Sequence, residues 1–467
     1  MQPIPAKILL AGLAQAGSVK DEMITAVVTD SRKICSDCVF VCFPGQRVDG
    51  HDFAAQAVEQ GAAYVIANHP VEGVPERKLI LCESSHHAMV RMGANYRMLF
   101  QPQMIGVTGS VGKTTTKEFC YAVLSAFGNA IKTEGNQNNE IGVPNTLFRL
   151  EETTEYAVVE MGMSALGEIE RLSRAAKPSA GLITCIGVSH METLGSRDNI
   201  LKAKLEICAG LPDGAPLALN ADDEYLNKAK ENGLIPQRLQ PVWYGIDAPW
   251  AQVQAKQIEN DENGIRFVLA DRENGEFPVY IPVLGRHNVY DALAAYAAAT
   301  RLGLDAARCA AALSDYKATG MRQNMVRKNG CTFIEDCYNA SPDSMKASLA
   351  MFAEYHCEGK KFALLGDMLE LGTIEEEAHR EVGKLAAHSG ITHLVTLGKA
   401  SRFMAQQAES EGLAVTCCET HEQAVNALCE LMHPGDALLA KASRGMKLET
   451  VLTALYEKNA LDKTIEE

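Results

Sequence analysis

Residues 104–115 read MIGVTGSVGKTT. The first four are apolar and form a run short enough for a buried strand, whereas apolar side chains recur at helical spacing from about Thr114 onward. The glycines between the two elements allow backbone N–H groups to converge on phosphate oxygens, and the helix N-terminus adds a favourable dipole. The order of strand, glycine-rich loop and helix predicts a phosphate-binding loop. Its predicted nucleotide-binding residues are Gly109, Ser110, Gly112, Lys113, Thr114 and Thr115.

The loop is a shortened variant with the pattern T-G-x-x-G-K-T. A strict P-loop requires glycine where this chain has Val107, and Gly106 lies one place too early. Lys113 is placed to bridge the β- and γ-phosphates, and the Thr114 hydroxyl to ligate Mg²⁺. The alternative is a chance Gly-Lys turn, but this would not explain why a strand precedes the loop and a helix follows it. ATP and Mg²⁺ are therefore the predicted ligands.

Strands and helices alternate on both sides of this loop. The pattern predicts an α/β protein with parallel sheets. A second alternating run begins after residues 317–320, and the first hundred residues combine short strands and turns with one or two helices. The predicted strands are 24–29, 38–43, 104–107, 156–159, 181–184, 332–334, 362–365, 393–397 and 437–440.

The length of 467 residues agrees with three domains at about 150 residues each. We predict an N-terminal α+β domain over residues 1–84, for which the family resemblance described below implies a UDP-binding role. A central P-loop-type parallel α/β ATPase domain follows over 85–316. A C-terminal Rossmann-like doubly wound domain completes the chain over 317–467.

Composition excludes several classes of function. Lys and Arg number 44 against 59 Asp and Glu, a formal net charge of −15, which argues against a general nucleic-acid binder. The sequence contains no apolar run of transmembrane length and does not begin like a secretory signal. Its 14 cysteines include one C-x-x-C, Cys35 and Cys38, without a second pair at zinc spacing. We predict a cytoplasmic protein with reduced thiols and no membrane insertion.

Polar residues follow the central strands where ligands collect in an open α/β sheet. Glu160 ends one strand and His190 follows another, so both are predicted to face the same Mg²⁺-nucleotide, although His190 alone reads as an ordinary histidine. The segment 133–142 is dense in amides and glycines. It is equally compatible with an exposed turn cluster and with a binding loop for a polar organic ligand.

Two further groups look structural from their pattern alone. Lys202 and Lys204 share a helical stretch with Glu206, which favours a solvated helix face. His287 and Asn288 precede an Ala-rich helix over 292–299 and favour a helix cap. In the C-terminal run, three polar loops follow strands and together predict a binding site; they are 335–342, 366–368 and 441–447.

Taken together, these motifs resemble those of the Mur ligase family, and the resemblance extends over all three predicted domains. The residues that carry it are Asp30-Ser31-Arg32, 49–53, 108–115, 133–139, 141–144, 160–162, His190, 285–288, 336–339, 366–372 and 441–447.

The resemblance implies an ATP-dependent amide ligase that acts on UDP-N-acetylmuramoyl-tripeptide and D-alanyl-D-alanine, works as a monomer and passes through an acyl phosphate. It implies Mg²⁺ ligands at Thr114, Glu160, His190 and Lys204, the last carbamylated, and catalytic roles for Lys113, His190 and Lys204. Asn288 would meet adenine, while Asp336 and Arg322 would hold the rest of the nucleotide. The implied substrate-binding residues are Ser31, Arg32, Asp49, His51, Asn136, Asn138, Asn139, Asn339 and Ser341.

Two residues depart from the family pattern. Asp291 stands where asparagine is common, and Ser341 replaces the asparagine of the usual Asn-Pro. The alternatives are another amide ligase of the family, a P-loop kinase and an ATP-bound scaffold without activity. The 133–142 loop argues against another ligase of the family. The shortened phosphate loop and the second α/β domain argue against a kinase. The presence of Lys113, Glu160 and His190 argues against an inactive scaffold. The third residue of the acceptor peptide, lysine or a diaminopimelate, stays open.

Overall fold

The computed structural model describes residues 1–13, 19–45, 48–261 and 263–457. Apolar strand residues form the cores of three sheet-based domains, and polar loops join them. No helix within these ranges is long and apolar enough to cross a membrane.

The N-terminal domain is built on a parallel sheet whose strands follow in chain order. A short antiparallel pair joins Ile4–Pro5 to Met23–Ile24. The predicted strand over 24–29 is therefore divided between this pair and the parallel sheet. The remaining strands are Ala26–Val28, Cys38–Val41, Tyr64–Ala67 and Leu79–Leu81, the α-helices Ala6–Leu9, Ala54–Glu59 and Ser85–Arg97, and the 3-10 turns Ser31–Lys33, Gly50–Phe53 and Glu76–Lys78.

The central domain places the strand Gln103–Thr108 between two parallel neighbours, Ala180–Ile183 and Tyr156–Glu160. From one edge the sheet runs Ala130–Lys132, Tyr156–Glu160, Gln103–Thr108, Ala180–Ile183, Pro216–Asn220, Gln240–Gly245, Val253–Asp261, Gly264–Asp271 and Gly275–Ile281. Its helices are Lys113–Ser125, Gly142–Leu147, Glu168–Ala176, Met191–Leu194, Arg197–Leu205, Glu224–Glu231, Arg286–Arg301 and Ala306–Ala312, with 3-10 turns Glu206–Gly210 and Leu313–Asp315.

The strands around the phosphate loop are parallel, as predicted. The far edge is different, because Val253–Asp261, Gly264–Asp271 and Gly275–Ile281 form an antiparallel meander. The sequence predicted the parallel part of the central sheet and did not reveal this antiparallel edge. These strands need no helical crossover, since short turns join them.

The C-terminal domain has the predicted doubly wound order. Its sheet runs Asn324–Lys328, Cys331–Glu335, Ala437–Lys441, Lys361–Gly366, His393–Leu397 and Ala414–Cys418, and the first strand alone among these pairs antiparallel. The chain order reverses beside Ala437–Lys441, and ligands bind at such a switch point in open sheets. The helices are Pro342–Glu354, Glu375–Ala387, Ser401–Ser410, His421–Leu431 and Glu449–Glu457, with 3-10 turns Gly372–Ile374 and Arg444–Met446.

The helix Ser85–Arg97 joins the N-terminal domain to the central one. Its Tyr96 packs in one buried cluster with Leu9 and with Leu147 of the central domain. The Tyr96 hydroxyl donates to the Leu150 carbonyl at 3.0 Å, and Arg97 Nε donates to the Ala176 carbonyl at 2.9 Å. The N-terminal domain is thus fastened to the central sheet through buried contacts.

Candidate active site

The phosphate loop has the geometry expected of an anion cradle. Gly109 has φ 144° and Gly112 has φ 86°, which favour glycine. A Cβ on Gly109 would lie 1.9 Å from Thr184 Oγ1, so a side chain there would collide with the neighbouring strand end. The helix begins at Lys113 with no side-chain cap, which leaves its first N–H groups facing the loop. The Ser110 hydroxyl, buried without a hydrogen-bond partner, adds a donor that suits phosphate oxygens.

Lys113 lies at the mouth of this loop. Its ammonium donates to the carbonyls of Gly109 at 2.8 Å and Ser110 at 3.1 Å. Partial burial lowers the pKa of Lys113, while the charge of Glu160 acts in the opposite direction. Its position makes Lys113 available to an anion bound in the loop.

Glu160 is held from several sides at the end of its strand. The carboxylate accepts from the Thr114 hydroxyl at 3.0 and 3.2 Å and from Asn138 Nδ2 at 2.8 Å. Lys117 Nζ lies 3.7 Å from Glu160 Oε2 and also donates to the Gly135 carbonyl at 3.1 Å. These contacts fix a carboxylate oxygen beside a hydroxyl, which suits a hard divalent cation.

Lys117 is a site residue that the sequence motifs did not reveal, although its spacing along the helix carries a signal. Lys113, Thr114 and Lys117 recur at three and four residues and therefore share one face of the helix. The side chain is buried and pairs with Glu118 at 3.2 Å. It connects the Glu160 carboxylate to the amide-rich loop.

His190 lines the same cavity as Glu160. It has φ 66°, a left-handed conformation that is uncommon for a residue with a side chain. Its Nδ1 lies 3.2 Å from Glu370 Oε2 of the C-terminal domain. Burial lowers the pKa of His190 to about 4, so the imidazole is neutral at pH 7 and able to bind a metal.

Lys204 is not on a solvated helix face. Its side chain is completely buried, and Nζ has no hydrogen-bond partner in the structure. Burial, and then the charge of Lys113, lower the pKa of Lys204 well below its ordinary value. The prediction from the helical pattern was wrong, because a neighbouring Lys202 at the exposed surface made the whole segment look polar.

Asn288 does not cap a helix over 292–299. The helix begins at Arg286, so Asn288 lies within its first turn. Its Nδ2 donates to the Leu284 carbonyl at 2.6 Å and to Gln323 Oε1 at 2.7 Å. Gln323 Nε2 lies 2.8 Å from His287 Nε2, and burial lowers the pKa of His287 to about 4. The cap prediction was wrong, because this helix starts six residues before the Ala-rich run.

Asp336 and Lys441 form a buried ion pair at the switch point of the C-terminal sheet. Lys441 Nζ lies 2.6 Å from Asp336 Oδ2, which also accepts from the Ser348 hydroxyl at 2.5 Å. Lys441 donates further to the Asn339 carbonyl at 3.3 Å. The pair therefore fixes the loop that carries Asn339.

Ser341 begins the helix Pro342–Glu354 with a capping box. Its hydroxyl accepts from Ser344 N at 3.4 Å, and Ser344 Oγ accepts from Ser341 N at 2.9 Å. Ser341, which departs from the family pattern, thus stabilises the start of this helix at the edge of the site.

One cavity of about 370 Å³ brings most of the predicted residues together. It lies between the central and C-terminal domains. Of the predicted residues, it is lined by Ser110, Gly112, Lys113, Thr114, Thr115, Asn136, Asn138, Asn139, Glu160, His190, Asn288, Arg322, Asp336, Asn339 and Ser341.

The predicted N-terminal binding residues lie elsewhere. Arg32 is exposed and pairs with Asp30 at 2.7 Å. Asp49 accepts from His51 Nδ1 at 2.6 Å and from the His51 backbone N–H at 2.9 Å. The structure thus does not bring Ser31, Arg32, Asp49 and His51 into the cavity. They lie in or directly before the 3-10 turns Ser31–Lys33 and Gly50–Phe53 of the first domain.

No three His, Cys, Asp or Glu side chains are grouped as metal ligands in the part of the chain that the structure describes. The predicted set is of another kind, because it combines one carboxylate and one imidazole with the Thr114 hydroxyl and a carbamylated Lys204. The close approach of Thr114 and Glu160 agrees with Mg²⁺, which also keeps water and phosphate ligands.

Polar contacts connect the central and C-terminal domains at the site. Asp343 Oδ2 accepts from Val188 N at 3.1 Å, and a Cβ on Gly187 would lie 2.1 Å from the same oxygen. With the Glu370 contact to His190, two carboxylates of the C-terminal domain touch the loop that carries His190. These features define a phosphate-loop nucleotide-binding protein whose second α/β domain closes the nucleotide site.

The buried Asp336–Lys441 pair allows a stability prediction. Lys441→Met should lower the free energy of unfolding by about 3–5 kcal/mol, because it leaves the Asp336 carboxylate buried without its counter-charge. Urea denaturation of the full chain measures this. Lys346→Met, at an exposed lysine of the helix Pro342–Glu354, is the matched control. Equal effects of the two substitutions would contradict the expectation, and Asp336→Asn should restore part of the stability lost in Lys441→Met.

Comparison with known proteins identifies the family. Sequence models of the Mur ligase middle domain, the Mur ligase glutamate ligase domain and the Mur ligase family catalytic domain match residues 107–299, 321–444 and 23–97. The UDP-N-acetylmuramoyl-tripeptide–D-alanyl-D-alanine ligase of Bacillus subtilis is 40% identical, over 93% of this chain and 94% of its own. The enzyme of the same name from Escherichia coli is 33% identical, over 94% of this chain and 95% of its own.

Solved structures give the same result. MurF from Acinetobacter baumannii superposes with a TM-score of 0.89 at 28% identity, covering 98% of this chain and 100% of that one. MurF ligase from Thermotoga maritima in complex with ADP has a TM-score of 0.80 at 27% identity, covering 92% and 97%. The chain therefore belongs to the Mur ligase family, and it is an enzyme of the ligase class.

Proposed function

We propose that the chain joins D-alanyl-D-alanine to UDP-N-acetylmuramoyl-tripeptide, with conversion of ATP to ADP and phosphate, in peptidoglycan synthesis. The observation that carries the proposal is the shared cavity, where a phosphate loop, a fixed carboxylate and amide side chains face one another. The substrates are those in the names of relatives at 40%, 35% and 33% identity. The ADP complex of the Thermotoga maritima neighbour supports the choice of nucleotide.

The proposed reaction has two steps. The terminal carboxylate of the UDP-linked peptide attacks the γ-phosphorus of ATP, the bond to the bridging oxygen breaks, and ADP leaves with an acyl phosphate formed. The amine of D-alanyl-D-alanine then attacks the acyl carbon. Loss of inorganic phosphate and of the amine proton completes the amide bond.

Several residues of the chain have defined tasks in these steps. Backbone N–H groups at the start of the helix Lys113–Ser125 hold phosphate oxygens, and Lys113 offsets charge on the transferring group. Asn288 and Asp336 position the nucleotide from two domains, while Asn136, Asn138 and Asn139 face the acceptor peptide. Asn339 and Ser341, which line the same cavity, would hold the incoming dipeptide. An acyl phosphate hydrolyses in water, so contact between the two domains protects the intermediate.

Mg²⁺ would be held by Thr114, Glu160 and His190, with Lys204 as a further ligand if carbamylated. When bound, it supplies charge neutralisation for phosphoryl transfer. The chain's own part is to hold the Glu160 carboxylate in place, through its contacts with Lys117, Thr114 and Asn138.

We also propose that the enzyme works in the cytoplasm as a monomer. All 14 cysteines of the sequence are free thiols, which agrees with a reducing compartment.

An ADP-release assay tests the proposed function. ADP should form only when UDP-N-acetylmuramoyl-tripeptide and D-alanyl-D-alanine are both present with ATP and Mg²⁺, apart from a slow background. Phosphorylation of another acceptor would indicate a kinase, and nucleotide binding without ADP formation would indicate a scaffold. Ligation of a single amino acid to a shorter peptide or to a folate would indicate another branch of the family. Parallel assays with the lysine and diaminopimelate tripeptides decide the third residue.

The exposed Arg32 provides a test of the N-terminal domain. Arg32→Ala should raise the KM for the UDP-tripeptide about tenfold or more, since a charge-assisted hydrogen bond contributes about 1.5–3 kcal/mol. The affinity for ATP should not change, because Arg32 does not line the nucleotide cavity. Steady-state kinetics and ATP calorimetry measure the two effects. Lys33→Ala, at the next exposed basic residue, is the control, and an unchanged KM in Arg32→Ala would assign the N-terminal domain another task.

A further inference from the structure

Asp291 lies directly against the phosphate loop. It belongs to the helix Arg286–Arg301, and its side chain is buried. Its Oδ1 accepts from the Thr116 hydroxyl at 2.7 Å, and a Cβ on Gly112 would lie 2.6 Å from the same oxygen. Thr116 N in turn donates to the Gly112 carbonyl at 2.8 Å. The carboxyl therefore supports both the last residue of the loop and the first turn of the phosphate-binding helix.

The charged surroundings of this carboxyl are sparse. Arg322 is the cation that faces it, and the other titratable groups around it are Cys120, Tyr244 and Tyr316. Burial raises the pKa of each of these three groups, so they are neutral between pH 6 and 8.5. Burial also raises the pKa of Asp291 to about 7, although the Thr116 hydrogen bond and Arg322 act in the opposite direction.

We propose that Asp291 positions the phosphate loop as a neutral carboxylic acid, so that nucleotide binding by this chain is coupled to proton uptake at Asp291. The inference rests on the proposed function, because it requires nucleotide phosphates in this loop. A carboxylate at Asp291, buried against the loop, would repel those phosphates more strongly than an exposed one, because like charges away from water are less screened. The neutral acid keeps the bond from Thr116 without that repulsion. The proton comes from solvent, and the O–H bond of the acid is the bond that forms.

An asparagine at position 291 isolates the contribution of the charge. Asparagine has nearly the shape of aspartic acid and is neutral at every pH. Asp291→Asn is therefore the matched variant, since it should bind nucleotide as the protonated acid does while having no proton to gain. Any titration of ADP itself, or of other groups in the cavity, affects both proteins alike and cancels in their comparison.

Calorimetric titration of the full chain with ADP in excess Mg²⁺, from pH 6 to 8.5, tests the proposal. If the protonated form alone binds, the apparent Kd of the native protein rises about 30-fold over this range relative to Asp291→Asn. At pH 8, binding measured in buffers of different ionisation enthalpy should show close to one more proton taken up by the native protein than by the variant. Equal pH profiles, or equal proton uptake, would overturn the proposal.

Thr116→Val supplies an independent variant. It removes the hydroxyl that favours the ionised form, so the rise in Kd should begin at higher pH than in the native protein. An unchanged or lower midpoint would contradict the proposal, and this measurement decides the matter even if Asp291→Asn does not fold. A folded Asp291→Asn that fails to bind ADP at pH 6 also overturns it. Absence of ADP binding by the native protein at every pH would count against the proposed function, whereas binding independent of pH counts only against the role of Asp291.

Discussion

Replacement of Lys113 by Ala is expected to lower kcat by at least about 10²–10³-fold, the range seen when one donor that stabilises transition-state charge is removed. The ammonium lies at the loop mouth, 2.8 Å from the Gly109 carbonyl, where it can move onto a phosphate oxygen without a backbone change. Negative charge on the transferring group develops beside it in the proposed first step. The loss should therefore appear mainly in kcat rather than in the KM for either peptide substrate.

ADP release with both substrates at saturation measures this effect. Lys177→Ala, at an exposed lysine that does not line the cavity, is the control for loss of one positive charge. Lys113→Arg should not restore the rate, since a planar guanidinium cannot replace a compact ammonium between the loop carbonyls. Near-normal turnover of Lys113→Ala would show that Lys113 has no part in the chemical step.

The phosphate loop could be predicted because its determinants are local. Strand, glycines and helix start lie within twelve consecutive residues, and each has a backbone requirement that the residue type reveals. Gly109 and Gly112 are needed for their positive φ, and Lys113 follows from its place after them. A general rule on strand ends predicted a shared location for Glu160 and His190, and both side chains line the cavity.

The rest of the site depends on contacts between distant segments. Lys117 contacts Glu160 and Gly135. Asn288 contacts Gln323, which lies beyond the end of the central domain. Helical spacing places Lys117 on the same face as Lys113, but no local pattern identifies the distant partners of Lys117 or Asn288. The antiparallel meander from Val253 to Ile281 was missed because its strands are half exposed at a sheet edge, where the apolar pattern is weak.

Lys204 shows how far burial can reverse an interpretation based on spacing. A lysine amine is almost never fully buried without a partner, because the ammonium loses its hydration there. Here Nζ is buried without a hydrogen-bond partner, and the lowered pKa favours the neutral amine. A neutral amine is a nucleophile towards CO₂, and the resulting carbamate would be an anionic oxygen ligand beside His190.

Lys204→Ala should therefore reduce turnover by about 10²-fold or more, comparable to the loss of another group that stabilises transition-state charge. Short-chain carboxylic acids at constant ionic strength should restore part of it, since a carboxylate can stand in for the carbamate. Lys202→Ala, two residues earlier on the exposed face of the same helix, should retain full activity. Full activity of Lys204→Ala without added acid would contradict the role.

The modification itself has a direct readout. Native protein equilibrated with ¹³C-labelled bicarbonate should give a carbamate carbon signal that is absent from Lys204→Ala and present in Lys202→Ala. The signal should weaken as CO₂ is removed, because carbamate formation is reversible, and turnover should fall with it. If the native protein gives no such signal while Lys204→Ala is inactive, the buried amine itself contributes to the site, as a neutral donor beside Lys113 and His190. The two measurements together thus separate a carbamate from an unmodified lysine at the one buried amine that the structure leaves without a hydrogen-bond partner among the residues it describes.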